Sequence, residues 1–227
     1  MAQRDYILRM FEEMSRVLAQ IIYHQQIKDY AAAHDLLDEQ LKQTLGMSSD
    51  FLHSLSDETL LAMLTTLDTL NVEKCWLVAT LLKAEGDLFA DEKDEDRSYY
   101  SYLKACNLFL EALHEQHLNK EIEPVPEIEE LYEKLNEYEL PLRTRQLLFW
   151  YFEYTGRYNQ AVDLLFEILE SASTDELGNI EELEEILEEG EAFYTRLLGK
   201  SDASLEIAHL SRDEISEGVT RLHQFSL

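Results

Sequence analysis

Chain breakers are so scarce in this sequence that little besides helix can be built from it. Seven glycines and three prolines occur in 227 residues, and every proline falls between 124 and 141. Between those breaks an apolar period of three and four residues predicts amphipathic helices throughout. Asp5 to Gln26 sets Ile7, Phe11, Met14, Leu18 and Ile21 on one face. A second helix after Lys28-Asp29 turns Tyr30, Ala33, Leu37 and Leu41 inward and closes on Gly46, so the two form a hairpin. Ser56 caps a third helix carried by Leu60, Leu64, Leu67 and Leu70 to Asn71. Val72 to Phe89, an acidic loop from Asp91 to Asp96, and a helix opened by Ser98 predict a second hairpin. A short helix, Glu127 to Glu137, follows, and Pro126 and Pro141 each suit the first residue of a helix. The third hairpin turns on Gly156. Beyond it come a helix from Ile180 to Leu198 and a last one opened by Ser211 and Glu214, the two ends of a capping box. The expected architecture is one all-α domain over residues 1–227, of stacked antiparallel hairpins, with a hinge at 119–127.

Charge narrows the partners. Lys and Arg total 19 against 47 Asp and Glu, a net charge of −28 that repels phosphate backbones and anionic lipid. Nucleic acid and membrane surfaces are therefore set aside. The amino terminus is charged too early for a signal peptide, and no uncharged apolar run reaches the ~20 residues of a membrane span. Cys75 and Cys106, the only cysteines, read as buried thiols in a reducing, cytoplasmic compartment.

One spacing recurs. Tyr158, Ala161 and Leu165 repeat the offsets of Tyr102, Ala105 and Phe109, and of Tyr30, Ala33 and Leu37. Two helices that cross closely need a small side chain at the contact and large ones around it, and alanine is the smallest residue that does not weaken a helix. This pattern resembles the second helix of a tetratricopeptide repeat. Leu148, Phe152 and Gly156 fall at the offsets of that family's first helix, and Gly86 and Phe89 match its glycine-to-aromatic step. The first hairpin departs, with His24 and Lys28 in place of the aromatic and the glycine. The alanines lie 105 − 33 = 72 and 161 − 105 = 56 residues apart. A regular array steps by about 34, so the expected array is irregular. The resemblance implies protein binding. Asp5-Tyr6-Ile7-Leu8-Arg9-Met10 also resembles the start of a family of uncharacterised bacterial proteins.

Catalytic and metal signatures fail on inspection. Glu111-x-x-His114 has di-iron spacing, with His117 nearby, but no second copy exists. Asp94, Asp96 and Ser98 begin a calcium loop, but Tyr99 and Ala105 occupy the positions that require Gly and Glu. Phosphate loops, nucleophile elbows and zinc motifs are missing, so no enzyme, cofactor or metal is expected. The acidity is uneven: twelve acids and no Lys or Arg lie between Tyr158 and Thr195. Seven of them fall in the eleven positions 181–191. Like charges one turn apart each cost about 0.2–0.5 kcal/mol, which a basic partner would offset. The expected function is therefore binding of a basic peptide or protein segment, with Glu181, Glu184, Glu185, Glu188, Trp150 and Tyr154 as candidate contacts. The alternatives are a homo-oligomer paired through Ile7, Phe11, Met14 and Leu18 of the first helix, and an interhelical small-molecule pocket, as in a sensor or enzyme, beside Trp150, Tyr151, Tyr154 and Tyr158.

Overall fold

A computed structural model describes residues 2–116, 125–174 and 180–225, with the side chains of 2–8, 11, 173, 174 and 180–182 outside the description. The chain is all-α. Its described residues form two compact units, one ending at Glu139 and the other beginning at Leu140. Most of the expected hinge, 119–124, lies outside the described residues.

The first unit contains α1 (Ala2–Gln26), α2 (Tyr30–Leu45), α3 (Ser49–Ser54), α4 (Asp57–Leu64), α5 (Val72–Glu92), α6 (Glu95–Gln116) and α7 (Pro126–Leu135). Met14 and Ile21 of α1 are buried within it, as are Ala33, Leu37 and Leu41 of α2. The α1–α2 hairpin packs on α5, and α5 pairs along its length with α6. The close approach of that second hairpin depends on Gly86. A Cβ there would stand 2.5 Å from the Tyr102 ring, and the Ser98 hydroxyl donates to the Gly86 carbonyl at 3.0 Å. From Ser101 to Leu110 every residue of α6 is buried, because α4, α5 and α7 all pack against it.

Two expectations are corrected in this unit. The third helix does not continue to Asn71: α4 ends at Leu64, and β1 (Thr65–Thr66) pairs antiparallel with β2 (Thr69–Leu70). Leu67 extends the leucine spacing but is 94% exposed at the turn, where it and Asp68 take φ of 52° and 60°. The threonines on either side favour the strand, since their branched Cβ loses freedom in a helix. Asn71 instead caps α5, its Oδ1 accepting from the Lys74 N–H at 3.0 Å. The acidic loop is also shorter than expected. Helix α5 runs on through Asp91 and Glu92 and α6 begins at Glu95, so Lys93-Asp94 alone makes the turn. Asp94, not Ser98, caps α6, accepting from the Arg97 N–H at 3.1 Å.

The second unit contains α8 (Leu142–Tyr154), α9 (Tyr158–Thr174), α10 (Ile180–Leu198), α11 (Asp202–Ile207) and α12 (Arg212–Leu222). Helices α8 and α9 form the expected hairpin on Gly156, α10 packs on α9, and α12 packs on α10. Pro141 is the cap of α8 and not its first helical residue. The Ser211–Glu214 capping box forms as expected. Phe149 meets Phe193 edge-on at 5.2 Å, joining α8 to α10 in the core.

Candidate functional site

The glutamates singled out in the sequence form one flank of α10. Ile186, Gly190, Phe193, Tyr194 and Leu197 are its buried stripe, and Glu184, Glu185, Glu188, Glu189 and Glu191 are exposed. The Glu181 side chain lies outside the described residues. Among the described residues Glu184, Glu185 and Glu188 take part in no ion pair, so that field is not neutralised within the unit. Glu185, Glu189 and Arg196 follow one another up the same face at helical spacing. They lead to a cleft of about 540 Å³ bordered by Glu153, Tyr154, Tyr158, Thr195, Arg196 and Lys200.

The cleft has a rigid wall. Arg196 grips Glu153 with Nε at 2.5 Å and Nη2 at 2.8 Å, the two-pronged geometry that fixes both side chains. Burial raises the Tyr154 phenol above its ordinary value, and Glu153 and Glu189 add to the effect while Arg196 opposes it. Tyr154 thus stays a neutral donor at the cleft edge. Trp150 does not face the cleft: it is 8% exposed, with its ring 5.1 Å from that of Tyr154. Tyr151 is fully buried, under the guanidinium of Arg157. Of the six candidate contacts, Tyr154 borders the cleft, Glu184, Glu185 and Glu188 are exposed on α10, and Trp150 is buried.

The first unit holds a polar cluster absent from the sequence reading. Glu85, in the middle of α5, is 1% exposed. Its carboxylate accepts from the Ser49 and Ser101 hydroxyls and faces His53 Nε2 at 2.7 Å. One turn along α6 from Ser101, Lys104 Nζ reaches the Leu55 carbonyl and Asp57 Oδ1, both at 2.8 Å, and Asn107 donates to Asp57 Oδ2 at 2.6 Å. Ser98, Ser101, Lys104 and Asn107 make a polar stripe at three-residue spacing on α6. That spacing on α6 was the available signal.

The Ser101–His53–Glu85 set has the residue types of a catalytic triad without its geometry. A relay places the acid on one ring nitrogen and the nucleophile on the other. Here Glu85 and Ser101 both face Nε2, the latter at 3.4 Å, and Ser101 is fully buried. The cluster therefore pins α3 and the start of α4 onto α5 and α6. A cleft of about 440 Å³ opens above Glu85, and its cations are engaged: Lys42 with Asp38, Arg97 with Asp94, and His34 facing Glu92.

Elsewhere, Met14 and Ile21 of the α1 stripe are taken up by packing inside the first unit, and Leu18 is half-buried beside them. The side chains of Ile7 and Phe11 lie outside the described residues, as does His117. Among the described residues no group of three or more His, Cys, Asp or Glu could hold a metal ion. No helix among them is long and apolar enough to cross a membrane.

Fold and surface together define an acidic all-α protein of antiparallel hairpins, with an exposed glutamate face on its penultimate long helix. The chain belongs to the Family of unknown function (DUF6483), whose model matches residues 1–226. No curated protein and no solved structure matches it.

Proposed function

We propose that this protein is a binding module whose second unit takes a basic segment of a partner protein along the α10 glutamate face and into the adjoining cleft. The observation that carries the reading is the set Glu184, Glu185 and Glu188: exposed, mutually repulsive, and without an ion pair among the described residues. At 1.5 Å per residue, the stretch from Glu184 to Thr195 covers about 16 Å, the reach of roughly five residues of extended chain. Such a segment could set Lys or Arg against the glutamates and end at Tyr154 and Tyr158. The hairpins' likeness to tetratricopeptide repeats supports the same role, since Ala33, Ala105 and Ala161 are each fully buried where that motif needs a small contact residue. We place the activity in a bacterial cytoplasm, where Cys75 and Cys106 stay reduced.

The test is a titration of the full chain with a labelled basic peptide of about twelve residues at low and moderate salt. Glu184→Lys, Glu185→Lys and Glu188→Lys together are expected to weaken binding by about tenfold or more, since exposed charge pairs contribute about 0.2–1 kcal/mol each. Tyr154→Ala should weaken it further. An affinity indifferent to the triple reversal would sink the proposal. Tight binding of a small uncharged ligand at Tyr154, with none of the peptide, would favour a sensor of small molecules instead.

A further inference from the structure

The first unit carries a second surface whose chemistry is more specific than charge. Tyr99 and Tyr100 of α6 and Tyr138, just beyond α7, form a row of rings. Their centroids are 5.2 Å apart for Tyr99 and Tyr100, and 4.6 Å for Tyr99 and Tyr138. Tyr100 is 57% exposed and Tyr138 45%. Three large rings in contact at the surface expose apolar area that a tyrosine would otherwise cover, and rings of this kind lose little entropy when a partner docks on them.

The polar surroundings of the row are of one sign. Glu95 and Asp96 lie one helical turn before Tyr99 and Tyr100, on the same face. Glu137 and Glu139 flank Tyr138 in the chain. All four acids are exposed, and none has an ion pair among the described residues. Two of the neighbouring cations are committed elsewhere. Arg97 is bound to Asp94 at 2.6 Å and lies over Phe89, and Lys134 is bound to Asp87 at 3.1 Å and lies over Tyr102. Ring faces are negative at their centres, so rings and carboxylates together attract a cation that can stack and form two parallel hydrogen bonds. Guanidinium does both, whereas an ammonium does neither well.

We propose that the Tyr99–Tyr100–Tyr138 row is a docking surface for an arginine-bearing segment of a partner protein, with guanidinium stacked on the exposed rings and hydrogen-bonded to the flanking carboxylates. The surface prefers arginine to lysine. It belongs to the first unit and does not depend on the α10 reading.

The test uses the full chain carrying Glu184→Lys, Glu185→Lys and Glu188→Lys, so that the α10 set of the first proposal is reversed in charge. Two peptides of equal length and charge are titrated by calorimetry, one with four arginines spaced by Gly-Ser and one with four lysines. The arginine peptide is expected to bind about fivefold more tightly. Tyr100→Ala and Tyr138→Ala should each weaken it by about two- to fivefold and erase the preference, because an exposed cation–ring contact contributes on that scale. Tyr100→Phe and Tyr138→Phe should keep it, since the ring and not the hydroxyl does the binding. Glu137→Gln with Glu139→Gln provides a route that leaves the rings intact and should also lower affinity. Equal affinity for the two peptides overturns the proposal. So does an arginine preference that survives both alanine variants, tighter binding of an arginine-free proline-rich peptide, or a dimer of this chain that Tyr100→Ala dissolves. The α10 proposal is judged separately, by the loss of binding between the unaltered chain and the triple reversal.

Discussion

Glu85 shows how one side chain can order a region that apolar packing alone leaves loose. A carboxylate removed from water must be matched by donors, and leaving a buried polar group unmatched costs about 1–3 kcal/mol. Ser49, His53 and Ser101 supply those donors, and two of them come from the six-residue helix α3, which has only Leu52 fully buried as an anchor. The network therefore fixes where α3 lies. Glu85→Gln keeps the shape but turns an amide N–H₂ toward groups that were donating. Urea denaturation should register a loss of about 1–3 kcal/mol. Ser101→Ala made on top of Glu85→Gln should cost much less than it does alone, because residues of one network are not additive. Additive losses would show that Glu85 and Ser101 do not act together.

At the scale of elements, the three hairpins share a turn that their sequences conceal. Lys28 N–H bonds Gln25 O and Asp29 N–H bonds His24 O; Lys93 and Asp94 repeat the pattern onto Ala90 and Phe89, and Gly156 and Arg157 onto Glu153 and Phe152. Each turn places its central residue in the left-handed region, at φ of 59°, 63° and 77°. This is the glycine-type helix end, in which two amides satisfy the orphan carbonyls. Gly156 made the third turn legible in the sequence. Lysine at the other two positions hid them, which is why the α5–α6 link read as an acidic loop. The hairpins themselves, the burial of Ala33, Ala105 and Ala161, and the Ser211 cap were legible because period and capping are local properties. Helices α3 and α11, at six residues each, are too short to show a period. The Leu64, Leu67, Leu70 spacing imitated a helix across a strand turn. The α10 glutamates were legible as a run, but the inward position of Trp150 depends on tertiary packing that spacing does not encode. Lysine in a left-handed conformation carries strain that glycine would not, partly offset by its charge at a helix C-terminus. Lys93→Gly should therefore stabilise the first unit by about 0.5 kcal/mol once salt screens that charge, and Gly156→Ala should cost about 1 kcal/mol, both read from thermal melts. Equal effects of the same sign would contradict the shared turn.

For the whole molecule, two electrostatic effects oppose folding at high pH, and salt separates them. The first is the self-repulsion of a chain of net charge −28, which acts through solvent and fades as the screening length shrinks from about 10 Å at 0.1 M salt to about 3 Å at 1 M. The second is buried in the core. Burial pushes the Cys75 and Cys106 thiols from an ordinary 9.0 up to about 12, with Glu111 adding to the effect on Cys75. It also pushes the Tyr102 and Tyr194 phenols from 10.0 to about 12, helped at Tyr102 by its hydrogen bond to Asp87. Between pH 9 and 12 the unfolded chain releases these protons while the native chain keeps them. The unfolded state then binds fewer protons, so stability falls as pH rises. Below pH 9 the contribution is fully present. Desolvation of a buried thiol is not screened by ions. Urea midpoints measured from pH 8 to 11 in 1 M salt should therefore still decline, although the same salt raises stability at pH 7. Cys106→Ala should flatten that decline whatever it does to stability at pH 8, because the slope reports the proton and the offset reports the packing. The same burial makes the thiols unreactive, since the thiolate is the nucleophile. An alkylating reagent at pH 8 should leave both cysteines unmodified in the native protein and modify both in urea. A decline abolished by 1 M salt, or unchanged by Cys106→Ala, would assign the alkaline loss to surface charge alone.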